Sequence, residues 1–282
     1  MSEILQDLSA PALVTAIEAN QFQTYQIFHH WPRAEVHDGP DMLWTITHIP
    51  NSMFNKVFRA QLGPDNVDAV IEAVIARCRS RNVPVAWHVG PVTRPANLGE
   101  YLEAYGFTHT WEAPGMAVDL LALNEGLQEP PGLIIERVAD VETLKQFCYV
   151  FKVGFGWPDF VEDAWLDLFT NVGLGAQGPM RHYLGRLKGE PVATMSLFLG
   201  ASVAGIYCTA TVPDARRQWI GTAMTLALLR EARALGYRVG ILQSSEMGFS
   251  VYHKVGFREY CKQGSYEWRG ETEQSGETTA AT

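Results

Sequence analysis

Basic residues are in short supply: 22 Lys and Arg stand against 31 Asp and Glu, for a net charge of -9. Phosphate backbones are held by clustered Lys and Arg, so nucleic acid is not an expected partner. Cysteine is scarce as well. Cys78, Cys148, Cys208 and Cys261 stand far apart, with no C-x-x-C pair and no His at ligand spacing, which excludes a zinc site and leaves reduced, mostly buried thiols. His29 and His30, with His37 and Asp38 following, would point to opposite sides of an extended segment, so no metal is expected there. No apolar run reaches the roughly 18 residues a membrane span needs, and no basic, apolar, small-residue order opens the chain. It reads as a soluble, cytoplasmic protein with no membrane partner. What is abundant is apolar surface: 47% hydrophobic against 19% charged residues is the composition of a globular protein, and 282 residues favour two domains over one.

Periodicity predicts helices over 7–20, 64–81, 98–105, 141–151, 163–169, 220–235 and 249–255, and strands over 42–49, 84–89, 133–138, 183–187, 192–199, 205–212, 239–243 and 260–268. Another strand is expected around Met116, Val118 and Leu120. Residues 124–132 hold Gly126 and Pro130-Pro131 and no periodic apolar face, so the linker is placed there. The polar stretch from 269 is expected to be a disordered tail. Tyr105-Gly106-Phe107 and Val255-Gly256-Phe257 end similar runs of strand, short helix and Gly-Phe, which suggests two copies of one mixed α/β unit, 1–123 and 133–268.

The most informative stretch runs from Thr209 to Met224, where a strand leads directly into a long amphipathic helix. The first N–H groups of such a helix have no internal partners and lie at the positive end of its dipole, which suits a pyrophosphate. Gly221 permits close approach, and Arg216 and Arg217 add positive charge. With Val212-Pro213, Arg216 to Gly221, and Ala234-Leu235-Gly236-Tyr237 at the far end of the helix, this segment resembles motif A of the GNAT acetyltransferases. Met247 to Phe257 resembles motif B. The resemblance covers about residues 133–268, and the two motifs in order are more specific than either alone.

The resemblance implies a donor, acetyl-CoA or another acyl-coenzyme A, and no metal. It places the pyrophosphate on the amides of Arg217, Gln218, Trp219, Ile220, Gly221, Thr222 and Ala223, and the pantetheine arm along Ala210, Thr211 and Val212. Trp219 stands where many family members have glycine; its indole either narrows the cleft or stacks on the coenzyme. Ser245 occupies the place of an Asn that often contacts the coenzyme. Tyr252 corresponds to the Tyr that protonates the leaving thiolate in many members, the alternative being a Tyr packed beside Phe249 and Phe257. The strand 205–212 carries no carboxylate, so the base is left among water, Tyr207 and an acid of 157–163. That segment lies where the family keeps its acceptor loop; Trp157, Asp159 and Glu162 would suit a cationic amine, or else Trp157 fills the core and the acids cap a helix.

Gly173 to Gly178 spells G-x-G-x-x-G, but a helix precedes it and Pro179 follows, so it reads as a loop rather than a dinucleotide site. The first half has no glycine and no basic pair at the start of its 64–81 helix, and reads as a degenerate GNAT-like copy. The expected fold class is thus α/β (α+β), two tandem mixed-sheet domains. The expected activity is acyl transfer to a primary amine of a small molecule, with a silent acyl-CoA-binding module as the alternative; a homodimer is left open.

Overall fold

The computed structural model describes residues 4–174 and 180–270. Residues 271–282 of the expected tail and 175–179 of the glycine run lie outside them. In chain order the elements are α1 (Ala10–Thr24), β1 (Glu35–Asp38), β2 (Leu43–Ile46), β3 (Lys56–Phe58), α2 (Val67–Arg81), β4 (Val85–Val89), α3 (Leu98–Ala104) and β5 (Thr108–Asp119). There follow β6 (Leu133–Arg137), α4 (Val141–Phe155), α5 (Asp159–Val172), β7 (Met180–Leu187), β8 (Glu190–Gly200), β9 (Val203–Thr211), α6 (Ile220–Ala234), β10 (Val239–Gln243), α7 (Glu246–Val255) and β11 (Arg258–Trp268). This is the mixed α/β class that the periodicity predicts. Strands β1 and β3 have no counterpart in the sequence reading, because runs of three or four residues are too short to show a period. Among the described residues no helix is long and apolar enough to cross a membrane.

The chain forms two compact units, residues 1–31 with 113–262 and residues 32–112 with 263–282. In the first unit β10 pairs antiparallel with β5, and β6, β7, β8 and β9 form an antiparallel meander. Alternate residues face opposite sides of a strand, and the two faces are covered by different helices. Met116, Val118, Leu197, Ile206 and Leu242 pack with Met224, Leu228 and Val255 of α6 and α7. Ala117, Val203, Val239 and Ile241 pack with Leu13 and Ile17 of α1. Helix α4 lies on the α1 side, where Phe147 meets His182, the neighbour of the α6-facing Tyr183. It starts at a reciprocal cap between Asp140 and Thr143 and stops at Gly156, whose φ of 69° permits the left-handed C-cap.

Residues 124–132, read as a linker, lie within this first unit, where Glu125 and Glu129 pair with Arg230 and Arg233 of α6. The second unit carries β1, β2, β3 and β4 in sequence, with the end of β11 antiparallel to β4. Val57, Trp87 and Trp268 of its sheet pack with Ile71, Val74, Leu98 and Leu102 of α2 and α3. Gly99 leaves no room for a side chain against the ring of Tyr266.

Candidate active site

The junction between β9 and α6 is a tight loop. A 3-10 turn, Pro213–Ala215, follows Val212, and two non-glycine residues then take left-handed backbone, Arg217 with φ 60° and Trp219 with φ 62°. Such conformations cost on the order of 1–3 kcal/mol each and persist only where the surroundings hold them. Their result is a row of inward-turned amides. The first backbone bond of α6 runs from the Ala223 N–H to the Trp219 carbonyl at 3.0 Å, and no side chain caps the helix. The N–H groups of Arg217, Gln218, Trp219, Ile220, Gly221 and Thr222 find no acceptor among the described residues. A Cβ placed on Gly221 would meet nothing within 4 Å, so there is open space beside this residue.

Two side chains differ from expectation. The Arg216 guanidinium donates to the Thr211 carbonyl at 3.1 Å and to the Gly154 carbonyl at 2.7 Å, so it ties β9 to the end of α4 and does not face the amide row. Trp219 is exposed, and the Lys254 ammonium of α7 lies 5.0 Å from its ring centroid, a cation–π contact.

Upstream of the loop, β9 parts from its parallel neighbour. The two strands pair at Gly240↔Ala204 and Ile241↔Gly205, after which β9 continues to Thr211 while β10 ends at Gln243. On its other edge β9 carries a bulge. Its register to β8 passes from Ser196↔Tyr207 to Thr194↔Ala210, with Cys208 at φ 48° and its carbonyl held by the Thr194 hydroxyl at 2.9 Å. Tyr252 of α7 is 8% exposed, with Phe257 edge-on at 5.9 Å. Burial pushes its phenol above the ordinary value, while the Thr209 hydroxyl at the bulge pulls the other way, so the proton stays in place at neutral pH. The ring is packed beside Phe257, and the hydroxyl bonds to Thr209 of β9. Ser245 caps α7 by accepting the Gly248 N–H at 3.2 Å.

In the segment 157–163 the two acids stand in the first turn of a helix, the place that the second of the two sequence alternatives gives them. Pro158 fixes the N-cap and α5 starts at Asp159, four residues earlier than predicted. Asp159 and Glu162 both pair with Lys152 of α4, at 2.7 and 2.6 Å. Trp157 is half-buried and stacks on Phe155, centroids 4.5 Å apart at 14°. One ammonium is shared between the Asp159 and Glu162 carboxylates, so the pair keeps a net negative charge, and the Asp159 carboxylate stays exposed. Among the described residues no three His, Cys, Asp or Glu are grouped to hold a metal ion.

Residues 140–257, from the N-cap of α4 to the Phe after α7, match the model of the acetyltransferase (GNAT) family. The fold is the GNAT fold. A GCN5-related N-acetyltransferase from Kribbella flavida superposes with a TM-score of 0.69 at 16% identity, over 90% of this chain and 97% of that one. A GCN5-related N-acetyltransferase from Sphaerobacter thermophilus gives 0.62 at 13%, covering 94% of each chain. A tandem GNAT protein from the clavulanic acid biosynthesis pathway gives 0.61 at 14%, over 95% of this chain and 97% of that one. No curated protein matches the chain in sequence.

Within this unit the structure also places residues that sequence reasoning passed over. Helix α1 brings Asn20, fully buried, to the sheet face opposite α6: its amide donates to the Gly200 carbonyl at 2.7 Å and its oxygen accepts the Tyr207 hydroxyl at 2.7 Å. Tyr207, one candidate base, is thereby engaged, and burial holds its phenol protonated. On the same side His182 Nδ1 meets the Ser196 hydroxyl at 2.7 Å, the imidazole lying between Phe147 and Phe169. Burial pushes this histidine down to about 3, so it is neutral at physiological pH. No sequence signal marks these contacts, since each joins residues on different elements.

Proposed function

We propose that the first unit is an acyl-coenzyme A dependent N-acyltransferase, with acetyl-CoA the expected donor and a small-molecule amine the acceptor. The observation that carries this reading is the row of amides from Arg217 to Thr222 with open space beside Gly221. Six unpaired donors at the positive end of a 15-residue helix suit a diphosphate. The free stretch of β9 beside it suits an extended amide-bearing arm, which can hydrogen-bond along a strand edge. The family match over 140–257 supports the same assignment.

In this reading the donor supplies a thioester carbonyl at the parting of β9 and β10. The amine gives up its first proton to water and its nitrogen bonds to that carbon; the carbon–sulfur bond breaks, the thiolate takes a proton from Tyr252, and the second nitrogen proton, lost as the amide forms, returns through water to the Tyr252 oxygen. Tyr252 is the catalytic residue. Arg217, Gln218, Trp219, Ile220, Gly221, Thr222 and Ala223 frame the diphosphate, Ala210, Thr211 and Val212 carry the arm, and Ser245 shapes the α7 end of the cleft through its cap. The second unit, with Asp68 in the first turn of α2 and no glycine there, is proposed to be a degenerate copy without its own donor site.

The test is calorimetry with coenzyme A, followed by thiol release from acetyl-CoA in the presence of amines. Micromolar affinity and acceptor-dependent release are expected. Affinity without release from any acceptor would favour a silent acyl-CoA-binding module, a reading to which the carboxylate-free β9 lends some weight. Absence of affinity would refute both.

A further inference from the structure

The corner where α4 turns into α5 exposes an unusual amount of aromatic surface. Phe155 and Tyr149 are each 52% exposed and Phe160 is 42% exposed. Single exposed apolar residues need no explanation, but Phe155 does not stand alone: its ring lies on that of Trp157, centroids 4.5 Å apart. Here the rings are fixed rather than loose. Phe155 and Trp157 lie parallel, and both stand edge-on to the buried Phe151, at 5.3 Å and 4.9 Å. The Trp157 N–H is tied to the Lys152 carbonyl at 3.1 Å, one residue beyond the left-handed Gly156. A rigid stack of this kind loses little freedom when a ligand settles on it.

The corner is also fastened to the proposed site. A Cβ on Gly154 would stand 2.6 Å from the Cβ of Ala210, so the last turn of α4 rests directly on β9. The Arg216 bonds to Thr211 and Gly154 lock the two together. The rings themselves narrow the ligand. Lys152 is shared by Asp159 and Glu162 and lies 5.1 Å from the Tyr149 ring, whereas no cation stands over the Phe155–Trp157 stack among the described residues. A flat ring would meet ring faces and edges there, a contact that an aliphatic amine does not make.

We propose that the acceptor carries its nitrogen on a planar aromatic group, and that the Phe155–Trp157 stack holds that ring while the nitrogen reaches the parting of β9 and β10. The inference rests on the acyl-transfer reading and adds the substrate class to it. It predicts that, with acetyl-CoA as donor, phenethylamine and tryptamine release thiol with a kcat/KM at least about tenfold above spermidine and glucosamine. Phe155→Ala lowers the aryl-amine kcat/KM about fivefold through KM, the size of one ring–ring contact with its apolar area, and leaves the KM for acetyl-CoA unchanged. Phe155→Trp restores it. Phe155 is half exposed, and a melting curve of each variant checks that the fold is kept. Equal or better turnover of spermidine, no release from aryl amines by a protein that binds coenzyme A, or an unchanged aryl KM in Phe155→Ala overturns this proposal alone. Failure to bind coenzyme A would instead bring down the reading beneath it.

Discussion

Gly221→Ala is expected to move stability and ligand affinity in opposite directions. Gly221 is the second residue of α6, its φ is not left-handed, and an added Cβ meets nothing within 4 Å. Nothing in the fold requires glycine there, and alanine restricts the unfolded chain, which stabilises a helix by about 0.5–1 kcal/mol. For a unit of this size that raises the melting temperature by about 1–4 °C. The same methyl stands in front of the open amides and holds a diphosphate away from them. Losing one or two hydrogen bonds to a charged group costs about 1.5–3 kcal/mol each, so affinity for coenzyme A falls by at least about tenfold. Differential scanning fluorimetry reads the first effect and calorimetry the second, on the same preparation. A lower melting temperature would mean that the glycine serves the fold; a higher one with unchanged affinity would mean that no anion approaches this turn. Either result refutes the reasoning.

Other expectations concern the groups around the same cleft. Tyr252→Phe should keep coenzyme A affinity and lower kcat by about 10²-fold, the contribution of a positioned proton donor; single-turnover thiol release measures it. Arg216→Met leaves the Thr211 and Gly154 carbonyls without their donor and should cost about 2 kcal/mol, seen as a lower urea midpoint with an unchanged slope. His182 is pushed down to about 3 from 6.5, so between those values the unfolded chain binds a proton that the folded chain refuses. Its contribution is complete above pH 6.5 and is lost on acidification, at up to about 1.4 kcal/mol per pH unit. Urea titrations at pH 7.0 and 5.0 should show a smaller loss for His182→Gln than for the unaltered protein, and an equal loss would contradict the assignment.

The parts legible in the sequence were those whose chemistry is local. The strand-to-helix turn at 212–221 needs only neighbouring residues to create bare amides, and its pattern of Pro213, the Arg pair and Gly221 is written contiguously. The amphipathic periods of α2, α4 and α6 likewise give helix positions, because one face of each must meet a core. The α5 start was misplaced by four residues because Pro158 acts as a cap and not as a break, and the apolar period becomes visible only after the first turn. The acids at 159 and 162 read as ligands because their partner, Lys152, lies one helix earlier.

From the order of its residues alone, this chain is an α/β protein with a strand-to-helix turn of unpaired amides before Ile220, since a few adjacent dihedrals suffice to make it. Tertiary structure alone decided that α1 joins the unit formed by 113–262, that Arg216 is a tie between strand and helix, and that Lys152 of α4 is shared by two acids of α5. Those outcomes depend on groups far apart in the chain, Asn20 with Tyr207 and Gly154 with Arg216 among them, and no local pattern records which distant surfaces will exclude water together.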